Sequence, residues 1–538
     1  MHVHPEVAEA LGRLRELAGL RQPDDPLLAD FLPLYYSELP EGDVDDRKLD
    51  DIYAVAVAHL ALGRRRAPGE TIARVVSPDR ERDGWQSPHS VLLVVTDDMP
   101  FLVDTLRMVL ERHGLGVHLL VHPMLAVERD GDHDLAAVEP TGEQIEAWTQ
   151  IELDRVDAAT AAIVQADVAG AIEDVRRVVD DFAAMRAEMK ELGELDPILP
   201  WLADGQFVFL GAADFDRAPD GALTVREGSG LGQLRENVRI DPPPVPGDRP
   251  VVIARSDATA TVFRAERQTV VIVRPDDATE RRFVGLLATN SYRVSVLDIP
   301  RIGADARRVL DLTDARMHAH AGRATRTVLE NLPRDLVLEL EPEPLRQLVT
   351  DIVGLQERQL VRVFEVPDPV GPWVTVLVYL PRKRFTAELP ERVADAVASA
   401  YGAEGADQRT FESFVGASSL ARIAVSVRRP ATASDVDLAT LERAVNELSR
   451  SWPDRLRDAL VGDLGEAAGS DMFDRVGRHA PAAYRAAVAP ERAIGDVRRI
   501  AALLDSDEEL TTSLGRDVDA PAGEWRFRVY RKESSTPL

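Results

Sequence analysis

The apolar run Val91 to Val95 ends at the acidic, proline-containing stretch Asp97-Asp98-Met99-Pro100, after which Leu102, Leu106, Val109, Leu110 and His113 recur at helical spacing. A short buried run, a turn and then a 3.6-residue period predict strand, loop and helix, with a further strand over Val117 to Val127 and a turn at Arg129-Asp-Gly-Asp. Upstream, Leu11, Leu14, Leu17, Ile52, Val55, Val57 and Leu60 lie on repeating helical faces broken by Pro23, Pro26 and the acidic loop Glu41 to Asp46. Residues 1–68 therefore read as a helical cap, followed by a strand at Ile72 to Val76. Trp148 to Val156 alternates as a half-exposed strand should. A stripe through Ile163, Val164, Ile172, Val175, Val178, Val179, Phe182 and Met185 predicts one long helix, Ala159 to Leu192.

From Trp201 to Asp311 the pattern turns β-rich, with strands expected at Phe207 to Leu210, Val251 to Ile253, Thr261 to Phe263, Val270 to Val273 and Phe283 to Leu287. Asp241 to Gly247 is proline-rich and reads as a stiff linker. The first module's order then returns: strand Val374 to Leu380, turn Pro381-Arg-Lys-Arg-Phe385, helix Glu388 to Tyr401, strands Thr410 to Val415 and Leu420 to Val427, a polar turn Arg429 to Ser434, and a long helix Val436 to Leu460. Two βαββ units, each feeding a long helix, predict an internal duplication in which 86–156 and 362–428 match, with helices on one face of each antiparallel sheet. Trp525 to Tyr530 alternates as a strand without a partner in sequence, which either joins a sheet edge or opens a further domain. The fold class is α+β: repeated βαββ units with antiparallel sheets, long connecting helices and a mixed β-rich middle domain.

Composition narrows the function. A chain of 538 residues suggests about three to four domains. With 64 basic and 92 acidic residues the formal charge is −28, which repels a phosphate backbone, so nucleic acid is not an expected partner. Cysteine is absent, which excludes disulfides, thiolate nucleophiles and cysteine-ligated metals. The longest apolar runs are strand-sized, and Met1-His-Val-His-Pro-Glu has neither a basic nor an apolar leader region; a soluble cytoplasmic protein without a membrane partner is expected. Lysine occurs only at 48, 190, 383 and 532, in charged surroundings that would not desolvate an amine. Gly228-Ser-Gly-Leu-Gly232 lacks the third glycine of a dinucleotide loop and follows the polar Thr224-Val-Arg-Glu, so it reads as a surface turn. No catalytic or cofactor-binding residue is assigned. His118 and His122 share a strand face, and His318-Ala-His320 adds two imidazoles, but no further ligand has an obvious place and no metal site is assigned. Glu280-Arg-Arg282, Arg323 and Arg326 read as interdomain or subunit contacts, because arginine stays protonated and cannot act as a base.

Gly84-Trp85, the block Asp97-Asp98-Met99-Pro100-Phe101-Leu102-Val103-Asp104 and His122-Pro123 closely resemble the N-terminal region of the large NAD-specific glutamate dehydrogenases of bacteria. Gln206-Phe-Val-Phe-Leu-Gly211, Glu280-Arg-Arg-Phe-Val-Gly-Leu286, Ser291-Tyr292 with Ile299-Pro300, Val328 to Leu336, Val378 to Arg382 with Arg384-Phe385, and Phe527 to Arg531 resemble it in the same order, from about residue 50 onward. The resemblance implies ACT-type domains with intervening helices ahead of a dehydrogenase domain. It implies this division: a helical segment 1–68, an ACT-like domain 69–194 with its long helix, a mixed β-rich domain 195–345, a second ACT-like domain 346–430, a helical segment 431–518, and at 519–538 the start of a third ACT-like domain. The chain would be a regulatory and oligomerisation region truncated before the catalytic domain and inactive alone, with no cofactor of its own. The parent reaction would convert L-glutamate, NAD and water to 2-oxoglutarate, ammonium and NADH, in a homo-oligomer. The alternative is a free-standing ACT-like amino-acid sensor.

The stretch Asp97, Asp98, Met99, Pro100 and Phe101 is the ligand-binding candidate. In ACT modules the corresponding turn usually reads Asp-x-Pro-Gly-Leu and presents backbone amides at a helix N-terminus to a ligand carboxylate. Asp98, Pro100 and Leu102 fit, whereas Phe101 stands where glycine would let a ligand approach. The competing reading is structural: Asp97 and Asp98 cap the helix, Pro100 starts it and Phe101 plugs the core. Pro381 to Phe385 is a weaker echo, either an anion site or a solvated basic turn.

Overall fold

The computed structural model describes residues 5–532 except 38, 40–47, 237–239, 242, 246, 248, 315–318, 356–357, 359, 404, 406–407, 417, 431–434 and 516–524. The loop Glu41 to Asp46, parts of the Asp241 to Gly247 linker and of the Arg429 to Ser434 turn, His318 and the side chain of His320 lie outside the described residues. The protein is α+β and divides into two compact units, Met1–Val353 with Pro369–Gly371, and Gly354–Asp368 with Pro372–Leu538.

The first unit opens with helices α1 (Pro5–Arg21), α2 (Pro26–Tyr35) and α3 (Leu49–Gly63). An antiparallel sheet follows: β1 (Ile72–Val76), β2 (Ser90–Asp97), β3 (Val117–Val121), β4 (Met124–Arg129), β5 (Leu135–Glu139) and β6 (Ile145–Leu153), in the order β1-β2-β6-β4-β5 with β3 also on β6. Helix α4 (Leu102–Arg112) joins β2 to β3. The strand expected over Val117 to Val127 is two strands, broken at His122-Pro123, where proline has no N–H to give the ladder. β3 pairs with the second half of β6 and β4 with its start.

β6 is not half-exposed. From Glu146 to Leu153 every residue is buried, because both faces of the sheet are covered. On one face Leu92, Val94, Ala147 and Ile151 pack on α4 and on α5 (Ala158–Glu191); on the other, Val95, Leu119, Val121 and Trp148 pack on α2 and α3. The polar residues Gln150 and Glu152, which suggested solvent, point under the N-terminal helices. Helices thus cover both faces rather than one.

Helix α5 is 34 residues long, capped by Asp157, whose carboxylate accepts from Thr160 N. Its apolar stripe continues from the first sheet onto a second antiparallel sheet: β7 (Phe207–Arg217), β8 (Leu223–Val225), β9 (Leu231–Gly232), β10 (Val251–Thr259), β11 (Arg267–Asp276) and β12 (Thr279–Leu287), ordered β10-β11-β12-β7-β8 with β9 on β7. Leu92 and Ile172 belong to one continuous core with Leu210 and Ile272. Thr261 to Phe263 is not a strand but part of the turn between β10 and β11, where Phe263 takes a left-handed φ of 73°. Helices α6 (Ile302–Asp314), α7 (Ala319–Asn331), α8 (Arg334–Glu339) and α9 (Pro342–Val353) close the unit.

The second unit holds β13 (Arg362–Pro367), β14 (Trp373–Pro381), α10 (Leu389–Tyr401), β15 (Arg409–Phe414) and β16 (Leu420–Arg428), with sheet order β13-β14-β16-β15. β1-β2-β6 with β3 and β4 is the same arrangement plus one added hairpin strand, but the counterpart of β13 is β1 at 72–76, outside the expected segment 86–156, so the two modules share a strand order over wider bounds than expected. The long helix expected over Val436 to Leu460 is two, α11 (Leu438–Leu448) and α12 (Trp452–Leu464). Ser451 and Asp454 form a capping box and Pro453 occupies the first turn, so a new helix starts there. After α13 (Glu466–Arg475) and α14 (Pro490–Leu504), Trp525 to Tyr530 is not a lone strand: β18 (Arg526–Arg531) pairs with β17 (Leu510–Gly515).

Candidate functional site

The turn between β2 and α4 is built from both sides. Asp97, last in β2, lies opposite Glu146 of β6, and Asp98 N donates to Ile145 O at 3.4 Å. Phe101 occupies the N-cap of α4 at φ 69°, with no side chain capping the helix. The capping role considered for Asp97 and Asp98 is therefore not observed. Pro100 precedes the helix rather than starting it, because α4 begins at Leu102. Asp98 and Pro100 are exposed and Met99 is buried. The Phe101 ring is partly buried against the core and lies 5.1 Å from the Phe263 ring, whose own backbone N donates to Thr105 Oγ1 at 3.0 Å. The second sheet's turn thus covers the flank of the first helical turn, and a left-handed phenylalanine is held by packing at a place that favours glycine.

Asp97 is engaged elsewhere. Its carboxylate accepts from Arg66, and from Arg176 Nη1 of α5 at 2.5 Å. Arg66 also donates to Glu146 Oε1 at 2.7 Å, and Arg129 donates to both Glu146 oxygens at 2.7 and 2.8 Å. The Arg66 and Glu146 side chains are fully buried. Burial disfavours the ionised form of Asp97, but the hydrogen bonds from Arg66 and Arg176 and their charges outweigh it and hold the carboxyl below its ordinary value. Three guanidinium groups thus face Asp97, Glu146 and, 3.9 Å from Arg176 Nε, Glu173. The exposed carboxylate at the turn itself is Asp98. Arg66, Arg129, Arg176 and Glu146 were not anticipated from sequence; the sole signal was the run Arg64-Arg65-Arg66 closing a helix, which has no visible connection to Asp97.

The remaining candidates are dispersed. His118 Nε2 lies 2.7 Å from Asp154 Oδ1 and its ring stacks on His89, whereas His122 Nδ1 meets Thr149 Oγ1 at 2.7 Å. Among the described residues no group of three or more His, Cys, Asp or Glu is placed to hold a metal. Gly232 forms β9, and its N donates to Asp181 Oδ2 at 2.7 Å. A Cβ on Gly230 would lie 2.0 Å from Leu234 O and one on Gly232 2.4 Å from Leu210 O, so these glycines permit close backbone packing and the turn is part of the sheet. Glu280 and Arg282 are not at an interdomain surface. Both are buried within the second sheet, where Glu280 accepts from Arg274 Nε at 3.0 Å and Arg282 Nε at 2.8 Å; Arg281 pairs with Glu188 of α5. Arg323 and Arg326 are exposed on α7. In the second module, Arg382–Arg384 forms a single 3-10 turn, and Arg384 Nη1 donates to Asn446 Oδ1 of α11 at 2.9 Å. Among the described residues no helix is long and apolar enough to cross a membrane.

Four family models of glutamate dehydrogenase match the chain in order and together cover more than half of it: the ACT1 domain at 31–168, helical motif 1 at 299–358, the ACT2 domain at 362–453 and helical motif 2 at 459–503. The NAD-specific glutamate dehydrogenase of Halomonas elongata is 30% identical over 590 aligned positions, covering 100% of this chain and 36% of that protein. Those of Pseudomonas aeruginosa and Mycobacterium tuberculosis are 30% and 28% identical, covering 95% and 86% of this chain but 34% and 30% of themselves. The chain spans about a third of the length of these curated relatives.

Proposed function

We propose that this chain, which belongs to the glutamate dehydrogenase family, acts as a regulatory and assembly region for a dehydrogenase that oxidises L-glutamate with NAD and water to 2-oxoglutarate, ammonium and NADH. The observation that carries the reading is the order ACT1, helical motif 1, ACT2, helical motif 2 along the chain. The glycines 228–232 support the absence of turnover by this chain alone, since Asp181 already occupies the Gly232 amide and its charge opposes a pyrophosphate. NAD would then act elsewhere in the full-length protein, in a cytoplasmic homo-oligomer, and an amino acid would be the effector. Arg66 and Arg176, which already hold Asp97, are the groups that would meet the carboxylate of such an effector at the Asp97–Phe101 turn.

The test has two arms. The purified 538-residue chain should produce no NADH from glutamate and NAD, while light scattering should find it self-associated at micromolar concentration. Glutamate-dependent NADH formation suppressed by a glutamate-site competitor would refute the non-catalytic reading, and a strict monomer would refute the assembly role.

A further inference from the structure

A cavity of about 790 Å³ opens beneath α3, on the face of the first sheet opposite α4 and α5, with Tyr36, Asp51, Trp85, His89, Gln150 and Glu152 in its lining. Gln150, on its floor, is 2% exposed. Counting protons around this side chain gives its orientation. The Tyr35 hydroxyl lies 2.7 Å from His59 Nδ1 and 3.0 Å from Gln150 Oε1; the Tyr36 hydroxyl lies 2.8 Å from Ile52 O and 3.4 Å from the same Oε1. Each hydroxyl carries one proton and faces two acceptors.

Desolvation pushes the His59 pKa down to about 3, against the raising effect of its bond to the Val94 carbonyl, so the ring is neutral at physiological pH and holds one N–H. That N–H belongs on Nε2, 3.2 Å from Val94 O, because the other tautomer would set two buried lone pairs against each other. Nδ1 is then an acceptor and takes the Tyr35 proton. Tyr36 gives its proton to Ile52 O, the nearer partner. A half-turn of the Gln150 amide completes the network: its NH2 donates to both tyrosine oxygens, so that both hydroxyls have a donor and an acceptor. The same half-turn carries Oε1 to the outer position, where the amide has no partner among the described residues.

We propose that this cavity binds a small ligand bearing a protonated amine, received by Gln150 Oε1 and the Asp51 carboxylate beside the Trp85 ring. Trp85 is part of the lining, and an indole face attracts a cation. Lys48, Asp79, Glu152 and Arg155 also belong to the lining, and Glu152 is already engaged within the protein. Arg155 donates to Ser87 O at 2.8 Å and Pro78 O at 3.2 Å, bracing the rim, and Asp79 caps the single turn Arg80–Asp83. Lys48 is exposed at the N-cap of α3. His89 stacks on His118 with ring centroids 4.0 Å apart and forms a wall. The site is separate from the Asp97–Phe101 turn, and binding there does not depend on the regulatory reading.

The probe is putrescine, titrated calorimetrically into the full chain at neutral pH, with 1,4-butanediol as the uncharged counterpart of equal length and glycine as a zwitterion. Putrescine should saturate a single site and butanediol should not bind. Asp51→Asn, at a partly exposed position on α3, should fold normally and weaken putrescine by about tenfold, the loss expected for one charge-assisted hydrogen bond. Gln150→Leu should abolish binding. No putrescine binding to the wild type, equal binding of butanediol, preference for glycine, or affinity unchanged in Asp51→Asn would each overturn the proposal.

Discussion

Glu146→Gln removes one charge from the buried cluster behind the β2–α4 turn while keeping the shape of the side chain. In the native protein Glu146 accepts from Arg66 Nη1, Arg129 Nε and Arg129 Nη2, all within 2.7 to 2.8 Å. Side-chain exposure is 0% for Arg66 and Glu146 and 5% for Arg129. A glutamine can accept through its carbonyl oxygen only, so its amide nitrogen would oppose guanidinium donors, and Arg129 would be left with the backbone carbonyls of Gly63, Arg64 and His133. Breaking a buried pair by removing one partner costs about 3–5 kcal/mol, because the surviving charge stays buried. In a unit of this size that corresponds to a fall in melting temperature of roughly 4–7 °C. Urea unfolding followed by tryptophan fluorescence measures it, with the exposed Asp98→Asn as control, expected within about 0.5 kcal/mol of wild type. If Glu146→Gln lies within about 1 kcal/mol of wild type, the cluster is not an electrostatic anchor of the turn.

Three further outcomes follow from single sites. His59 is neutral and buried with its pKa depressed from 6.5 to about 3, so the unfolded chain binds the proton first. Its contribution is complete above the unfolded value and is lost as pH falls toward 3, at up to about 1.4 kcal/mol per pH unit; urea titrations at pH 7, 6 and 5 should show a slope that flattens in His59→Gln. Gly63→Ala, which in an exposed helix would gain up to about 1 kcal/mol, should instead lose about 1–3 kcal/mol by overpacking, because the new Cβ would lie 2.2 Å from the buried Trp148 ring; an unchanged or higher melting temperature would contradict this. Asp97 is held below its ordinary pKa by Arg66 and Arg176 against the opposing effect of burial, so its stabilisation is present above the unfolded value and fades as pH drops below it; acid unfolding of Asp97→Asn should lose part of the wild-type pH dependence.

The parts of the fold legible in sequence were those with local periodicity. The stripe from Ile163 to Met185 set the limits of α5 within about one residue, and Val91 to Val95 marked a strand because nothing but a buried strand fits five apolar residues before an acidic turn. What stayed hidden depends on residues far apart in the chain. Gln150 and Glu152 looked solvent-facing until α2 and α3 lay over them. Leu510–Gly515, with its two threonines and a serine, gave too weak a strand signal to be recognised as the partner of β18. At the candidate turn, the residue types of 97–101 were readable, but the groups that determine their use were not: Arg66 and Arg176 stand 31 and 79 positions away from Asp97.

Helix α5 serves as a common axle for two sheets. Arg176 grips Asp97 at the end of one sheet, and five residues later Asp181 grips the Gly232 amide and Arg235 in the other. At 1.5 Å per residue those grips are about 7.5 Å apart along the axis, less than the width of the helix itself. A rotation or slide of α5 that releases the first grip strains the second at once, since an α-helix does not twist appreciably over five residues. Whatever reaches the Asp97 turn therefore has a route of little more than one helical turn to the edge of the neighbouring sheet, and the two sheets cannot be tuned independently by substitutions on that stretch.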